Sequence, residues 1–357
     1  MIQLFFTPFL YDLSLFNIQY LFFIPNEGVI YMWLAVIAIL IGLAILVWSA
    51  DVFIDGATAL AIKLRMPSFL IGVIILGVGT SAPEMVVSVL AALEGSPELA
   101  LGNAYGSNII NIALVLGATV LISPIIIHKG VIKRDLPILV VITALAAWQL
   151  RDGLLSLTDG LVLLGMLVLV LGIQIVLSLR EGKSNDADAI TESLSDTEHN
   201  HPSLMRGLGS LLIGLSMLVA SSQAIVWGAV ELATFWGLSE LIIGLTIVAV
   251  GTSLPELVAS LSAARKGEHD MALGNIIGSN IFNTLGVVGL AALIAPITAN
   301  PIILSRDILA MGLITLLLVV LCVFAFMTKR PFGRISGATL VMFFVGYTLW
   351  LMQTANM

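Results

Sequence analysis

The sequence predicts an all-α membrane protein of ten transmembrane helices in two inverted five-helix repeats. Three observations predict it: a composition too apolar for a water-facing surface, a series of runs long enough to cross a bilayer, and one long motif that occurs twice. Hydrophobic residues make up 59% of the 357-residue chain and charged residues only 10%, against about 25% charged in a typical soluble domain. So few charges cannot cover a globular surface in water. Backbone polar groups in lipid must be satisfied within the protein, which leaves helices or closed barrels, and the apolar–polar alternation of barrel strands is absent. The net charge of −7 argues against a nucleic-acid partner. The single cysteine, Cys322, lies inside an apolar run, so an intrachain disulfide is impossible and plain packing is expected.

The spans are expected at 31–51, 68–93, 98–122, 136–150, 156–179, 207–228, 240–264, 270–295, 308–327 and 335–352. The clearest runs are 37–47, 161–179 and 308–327, which with their flanks match a hydrocarbon core of roughly 30 Å. Residues 1–30 form an N-terminal extension of unassigned role. They are aromatic and apolar, carry Pro8, Asp12 and Pro25, and hold no Lys or Arg. That excludes the basic n-region of a signal peptide and leaves an interfacial segment or a true start at Met32 as the options. Residues 180–206 are rich in Ser, Asp, Glu and Asn and are expected to be a disordered cytoplasmic linker. Their acidic run lacks the glycine and spacing of an EF-hand loop.

The linker separates two copies of one unit. Residues 72–117 align with 244–289 without a gap at an offset of 172, and 24 of the 46 positions are identical. Both copies contain G-T-S-x-P-E followed by A-L-G-N-x-x-G-S-N-I-x-N, and Arg134–Asp135 falls on Arg306–Asp307. The first repeat is thus 31–179 and the second 207–353. An odd number of spans per repeat turns the second copy upside down. The charges agree: with alternate loops assigned to two sides, thirteen of the fifteen basic residues fall on one side, leaving only Arg151 and Arg306 on the other. The positive-inside rule then places both termini outside and the linker in the cytoplasm. Inverted repeats with interrupted helices are the pattern of a secondary transporter with its site near the bilayer midplane.

Glu84 and Glu256 occupy equivalent places deep in apolar spans, where a carboxylate costs several kcal/mol unless compensated. Pro83 and Pro255 precede them and deprive the carbonyls of Gly79 and Gly251 of their helical donors. Thr80, Ser81, Thr252 and Ser253 add hydroxyls beside each acid. In the partner motif Ser107 and Asn111, and likewise Ser279 and Asn283, are four apart and share a helical face. Asn103, Asn108, Asn275 and Asn280 lie nearby, with backbone or helix–helix contacts as their alternative use. Gly102, Gly106, Gly274 and Gly278 are expected to serve close helix packing. All these candidate ligands are oxygens, with no His or Cys among them, so the site suits hard cations such as calcium or sodium. Two carboxylates balance one divalent ion, or hold monovalent ions or protons instead. Competition for the pair would produce exchange without a second site. An empty pair resists crossing between inward-open and outward-open states, because uncompensated charge would be buried.

The doubled motifs resemble the two α-repeats of the sodium/calcium exchanger family, within the calcium/cation antiporter superfamily, and are most similar to its bacterial YrbG-like branch. The resemblance spans 31–353. It implies the sodium/calcium exchanger fold, with spans two, three, seven and eight forming the site. It implies calcium ligation by Glu84 and Glu256 with the carbonyls of Thr80 and Thr252. It also implies sodium sites at Ser81, Ser107, Thr252, Ser253 and Ser279 with the carbonyls of Gly77 and Ala249. Asn111 matches the family's asparagine in the third span. Asn283 stands where some members carry aspartate, which removes a protonatable group and leaves sodium or proton as the driving ion.

The expected function is therefore a calcium/cation antiporter with no cofactor, moving calcium against sodium or protons in a bacterial inner membrane, with lipid as its surroundings and no obligatory protein partner. A proton-coupled cation antiporter is the alternative within transport. A cation channel is the alternative of another class, although channels gather ligands by oligomer symmetry rather than by an internal repeat. An enzyme is not expected, since the spans carry no paired aspartates, H-E-x-x-H or partnered serine nucleophile. His128, His199, His201 and His269 all fall in loops.

Overall fold

Among the described residues each apolar run forms a helix, and the motif-bearing helices break where Pro83 and Pro255 follow Gly-Thr-Ser. The computed structural model describes residues 27–64, 66–195, 204–237 and 249–355. Most of the N-terminal extension, part of the linker (196–203) and the start of the expected seventh span (238–248) lie outside the described residues. The helices are α1 (Glu27–Leu64), α2 (Ser68–Thr80), α3 (Ala82–Leu93), α4 (Glu98–Ile122), α5 (Leu136–Gln149), α6 (Leu157–Ser195), α7 (Leu204–Phe235), α8 (Ala249–Thr252), α9 (Leu254–Arg265), α10 (His269–Ile294), α11 (Ile303–Met327) and α12 (Arg334–Ala355). Among the described residues seven of these are long and apolar enough to cross a membrane, and α2–α3, bent by 45° at its break, makes an eighth. The other two expected spans correspond to the shorter α5 and to α8–α9.

Two expected boundaries are corrected. The first helix runs past residue 51 to Leu64, because Asp51 and Asp55 have partners there. Lys266 Nζ lies 2.6 Å from Asp55 Oδ1 and donates to the Asp51 carbonyl at 2.9 Å, and Ser262 Oγ donates to Asp51 Oδ1 at 2.5 Å. The segment 180–195, expected to be disordered from its composition, continues α6 to Ser195. A helix already nucleated in the membrane propagates at the cost of one residue per hydrogen bond, so polar composition alone does not stop it.

α4 and α10 form the centre, with 72% and 89% of their most apolar windows buried, whereas α1, α6 and α12 reach only 22% and turn apolar side chains such as Leu40, Val168 and Met342 outward. Outer helices of this kind face lipid, where apolar exposure carries no penalty. The core contact is the approach of α2 to the first half of α10. A Cβ on Gly274 would stand 2.5 Å from the Phe69 carbonyl oxygen, and one on Gly278 2.5 Å from that of Val73. Only glycine lets these backbones meet, the packing use expected of the small-xxx-small pattern; the expectation fails for Gly102 and Gly106, where an added Cβ would meet nothing within 4 Å.

Loops that the charge pattern assigns to one side meet one another. Leu154–Leu155 (β1) pairs antiparallel with Ile297–Thr298 (β2), and Glu98 Oε1 accepts from the Asn300 N–H at 2.8 Å. At the opposite end Ile125 bridges to Phe332, His128 Nδ1 lies 2.7 Å from Asp270 Oδ1, and Ser123 Oγ donates to the Ala264 carbonyl at 3.1 Å. Ile125 and His128 are the repeat equivalents of Ile297 and Asn300, so the same loop appears once at each end. The Arg–Asp pairs are also repeated. Arg134 Nε donates to Asp135 Oδ1 and Arg306 Nε to Asp307 Oδ1, both at 2.7 Å, and each pair sits in a π-helical turn that enters α5 or begins α11.

Candidate cation-binding site

The two glutamates sit at helix starts rather than in unbroken helices. Ser81 ends α2 and precedes α3 with φ −84° and ψ 0°, and Ser253 does the same between α8 and α9 with φ −90° and ψ 6°. Pro83 and Pro255 then occupy the second position of α3 and α9, where a missing N–H removes no helical bond. Glu84 and Glu256 follow in the first turn, facing the positive end of the helix dipole. Ser-x-x-Glu is the signature of a reciprocal helix cap, yet neither serine makes a capping bond. Both side chains are left for another use.

The carboxylates are almost wholly buried, Glu84 at 2% and Glu256 at 1% exposure. Glu256 is close enough to sense the charge of Glu84 and neighbours the Thr80 hydroxyl. α3 packs on the π-helical turn Phe282–Val287, which carries Asn283, and α9 packs on the π-helical turn Asn111–Leu116, which carries Asn111. Each glutamate helix therefore packs on the π-helical turn of the other repeat that carries the asparagine.

Polar atoms without protein partners concentrate here. Ten residues among those described hold a buried side-chain N or O with no hydrogen bond, and six of them are site candidates: Ser81, Glu84, Asn111, Ser253, Glu256 and Asn283. Such atoms each cost about 1–3 kcal/mol when left unsatisfied, so their gathering in two symmetric sets points to a ligand. The donor set is carboxylate, hydroxyl and amide oxygen, which is the chemistry of a hard cation.

The remaining candidates divide. The Thr80 hydroxyl lies 3.0 Å from the Leu76 carbonyl, 3.2 Å from Asn275 Oδ1 and 3.3 Å from Ser279 Oγ. Thr80 and Ser279 are thus joined to each other across the repeats. Ser107 is buried. The Gly77 carbonyl accepts the Ser81 N–H at 3.2 Å, which leaves one lone pair. Thr252 ends α8 and Ala249 begins it. Neither carbonyl freed by proline is open as expected: that of Gly79 accepts a backbone N–H at the helix break, and Ser222 Oγ of α7 donates to that of Gly251 at 2.9 Å. Ser222 carries no repeat signal, since its counterpart is Ala50. Ser88 and Ser260 are two further buried hydroxyls of this region. They stand one turn after each glutamate and are identical in both repeats, a signal that was available.

Two inverted broken helices that bring a buried carboxylate pair together define the class, a multi-pass membrane protein of the ion-transporting type. The family model described as sodium/calcium exchanger protein matches residues 11–176 and 206–353. The putative antiporter CaxA of Alkalimonas amylolytica is 43% identical over 90% of this chain and 100% of its own length. The inner membrane protein YrbG of Escherichia coli strain K12 is 40% identical over 90% of this chain and 96% of its own. The sodium/calcium exchanger MaX1 of Methanosarcina acetivorans is 30% identical over 88% and 97%. The sodium-calcium exchanger NCX_Mj superposes with a TM-score of 0.74 at 32% identity, over 87% of this chain and 97% of that one. The chain belongs to the sodium/calcium exchanger family, a family of cation transporters.

Proposed function

We propose that this protein exchanges calcium for sodium across a bacterial inner membrane by alternating access to one site between Glu84 and Glu256. The gathering of unpartnered buried oxygens around the two glutamates carries the reading. Calcium would be held by both carboxylates with the carbonyls of Thr80 and Thr252. Sodium would be held by Ser81, Ser107, Ser253, Ser279 and Thr252 with the carbonyls of Gly77 and Ala249, and Asn111 and Asn283 would complete the ring. A divalent ion neutralises the pair, and so do two monovalent ions. Either load lowers the cost of enclosing the site during the change of access. Burial of unbalanced charge opposes an empty return, so one ion's exit is coupled to the other's entry.

The proposed topology puts both termini outside the cytoplasm and the linker within it, with residues 31–179 and 207–353 as the inverted halves around a ten-helix core. The relatives named as exchangers and antiporters support the substrate class. Proton coupling is the second reading, favoured by Asn283, because its amide supplies no third charge for an additional sodium ion. Calcium uptake into proteoliposomes separates the readings. A sodium gradient alone drives it in the first case, a proton gradient alone in the second, and uptake with neither gradient would mean a channel.

A further inference from the structure

Two asparagines outside the proposed ligand set make the same contacts in both repeats. Asn103 Nδ2 donates to Ser88 Oγ at 3.1 Å and approaches the Glu84 carbonyl at 3.4 Å. Asn275 Nδ2 donates to Ser260 Oγ at 2.9 Å and approaches the Glu256 carbonyl at 3.3 Å. In each hairpin the amide reaches from the second helix, α4 or α10, to the glutamate's own backbone and to the serine one turn later. It therefore clamps the first turn of α3 or α9, the turn whose capping bonds are unused. The serines that could have capped these turns do not do so, since Ser81 Oγ and Ser253 Oγ make no hydrogen bond.

Asn275 has a further contact. Its Oδ1 faces the Thr80 hydroxyl at 3.2 Å. That hydroxyl has one proton, shared between Asn275 Oδ1 and the Leu76 carbonyl, and it can accept from Ser279 Oγ. One fully buried amide therefore joins the Glu256 turn to the residue four before Glu84 in the other repeat. An amide suits this position because it offers donors on one side and an acceptor on the other. Aspartate would have no donor for Ser260 Oγ lone pairs and the Glu256 carbonyl.

We propose that Asn275 and Asn103 are positioning residues, which do not touch the ion but hold the two glutamates at the separation that calcium binding needs. This rests on the two-glutamate reading above. Loss of either amide lets one carboxylate turn relax, so calcium affinity falls while the pair remains present. An interaction of this size is worth roughly tenfold in affinity.

The test is calcium-driven exchange by the full chain in proteoliposomes, with apparent KM and Vmax measured for N275A, N103A, S260A and S88A and melting temperatures measured for each. The expected result is an apparent KM for calcium raised roughly tenfold in N275A and N103A, a smaller rise in the serine variants, and a double variant N275A/S260A no worse than N275A alone. Additive effects in that double variant would overturn the shared clamp. A purely structural asparagine would lower the melting temperature and Vmax and leave KM unchanged, which would also overturn it. Should N275A fail to fold, S260A and S88A decide the question: raised KM supports the clamp, and unchanged KM in both rejects it. E256Q separates the two readings. If E256Q loses calcium binding while the asparagine variants keep wild-type KM, the positioning role fails alone. If E256Q also keeps wild-type KM, the glutamate site fails and takes the clamp with it.

Discussion

Replacing Glu256 by glutamine should remove calcium binding without disturbing the fold. The side chain is 1% exposed, and an isosteric amide can still meet the neighbouring Thr80 hydroxyl, so the packing within the protein is kept. What it removes is half of the negative charge that faces a divalent ion. Breaking a buried charge pair by removing one member costs about 3–5 kcal/mol, or roughly 100- to several-thousand-fold in affinity. Thermal unfolding of the purified protein with and without calcium reads this directly. At a calcium concentration about 100 times the dissociation constant, the wild type gains about 2.7 kcal/mol. The variant at the same concentration gains about 0.3 kcal/mol or less, and its ion-free melting temperature is no lower than that of the wild type. Glu84→Gln behaves likewise. A Glu256→Gln protein that keeps the full calcium-dependent rise at the same concentration would refute the two-glutamate site.

Asn283→Asp adds a third carboxylate beside the pair and is expected to change the dependence of calcium flux on sodium or pH. An unchanged driving-ion profile in proteoliposomes would show that position 283 does not choose the coupling ion. Gly278→Ala forces a methyl to 2.5 Å from the Val73 carbonyl oxygen and should cost about 1–3 kcal/mol of stability through overpacking, seen as a lower melting temperature with and without calcium alike. His128 should contribute a small pH-dependent term. Hydrogen bonding to Asp270 raises its pKa, burial partly opposes this, and the charge of Asp270 adds to the rise. The folded value thus exceeds the unfolded value, so the stabilisation is complete below about pH 6.5 and is lost as pH rises through the folded value. With the side chain 57% exposed, screening holds the contribution below about 1 kcal/mol. The melting-temperature difference between wild type and His128→Gln should shrink toward high pH, and a difference that grows with pH would reverse the assignment.

The sequence by itself determined the class of molecule, the repeat and the chemical character of the site. Those properties depend on composition and on residue types at fixed spacing, which need no tertiary contact to be read. Depletion of charge implies lipid, a gapless duplicated motif implies two like units, and two glutamates in apolar runs imply compensation. Tertiary structure decided what becomes of each polar atom. The Gly251 carbonyl, open on local grounds, is taken by Ser222 from a helix nearly thirty residues earlier in the chain. The extension of α1 depends on Lys266 and Ser262, more than two hundred residues away. Asn275 differs from Asn283 in what lies opposite: one amide bonds Ser260, the Glu256 backbone and Thr80, and the other, equally buried, makes no hydrogen bond. Local propensity carries no record of which long-range neighbour satisfies a donor or acceptor. Only the packing of one repeat against the other sorts the asparagines with protein hydrogen bonds, such as Asn275, from those without, such as Asn283.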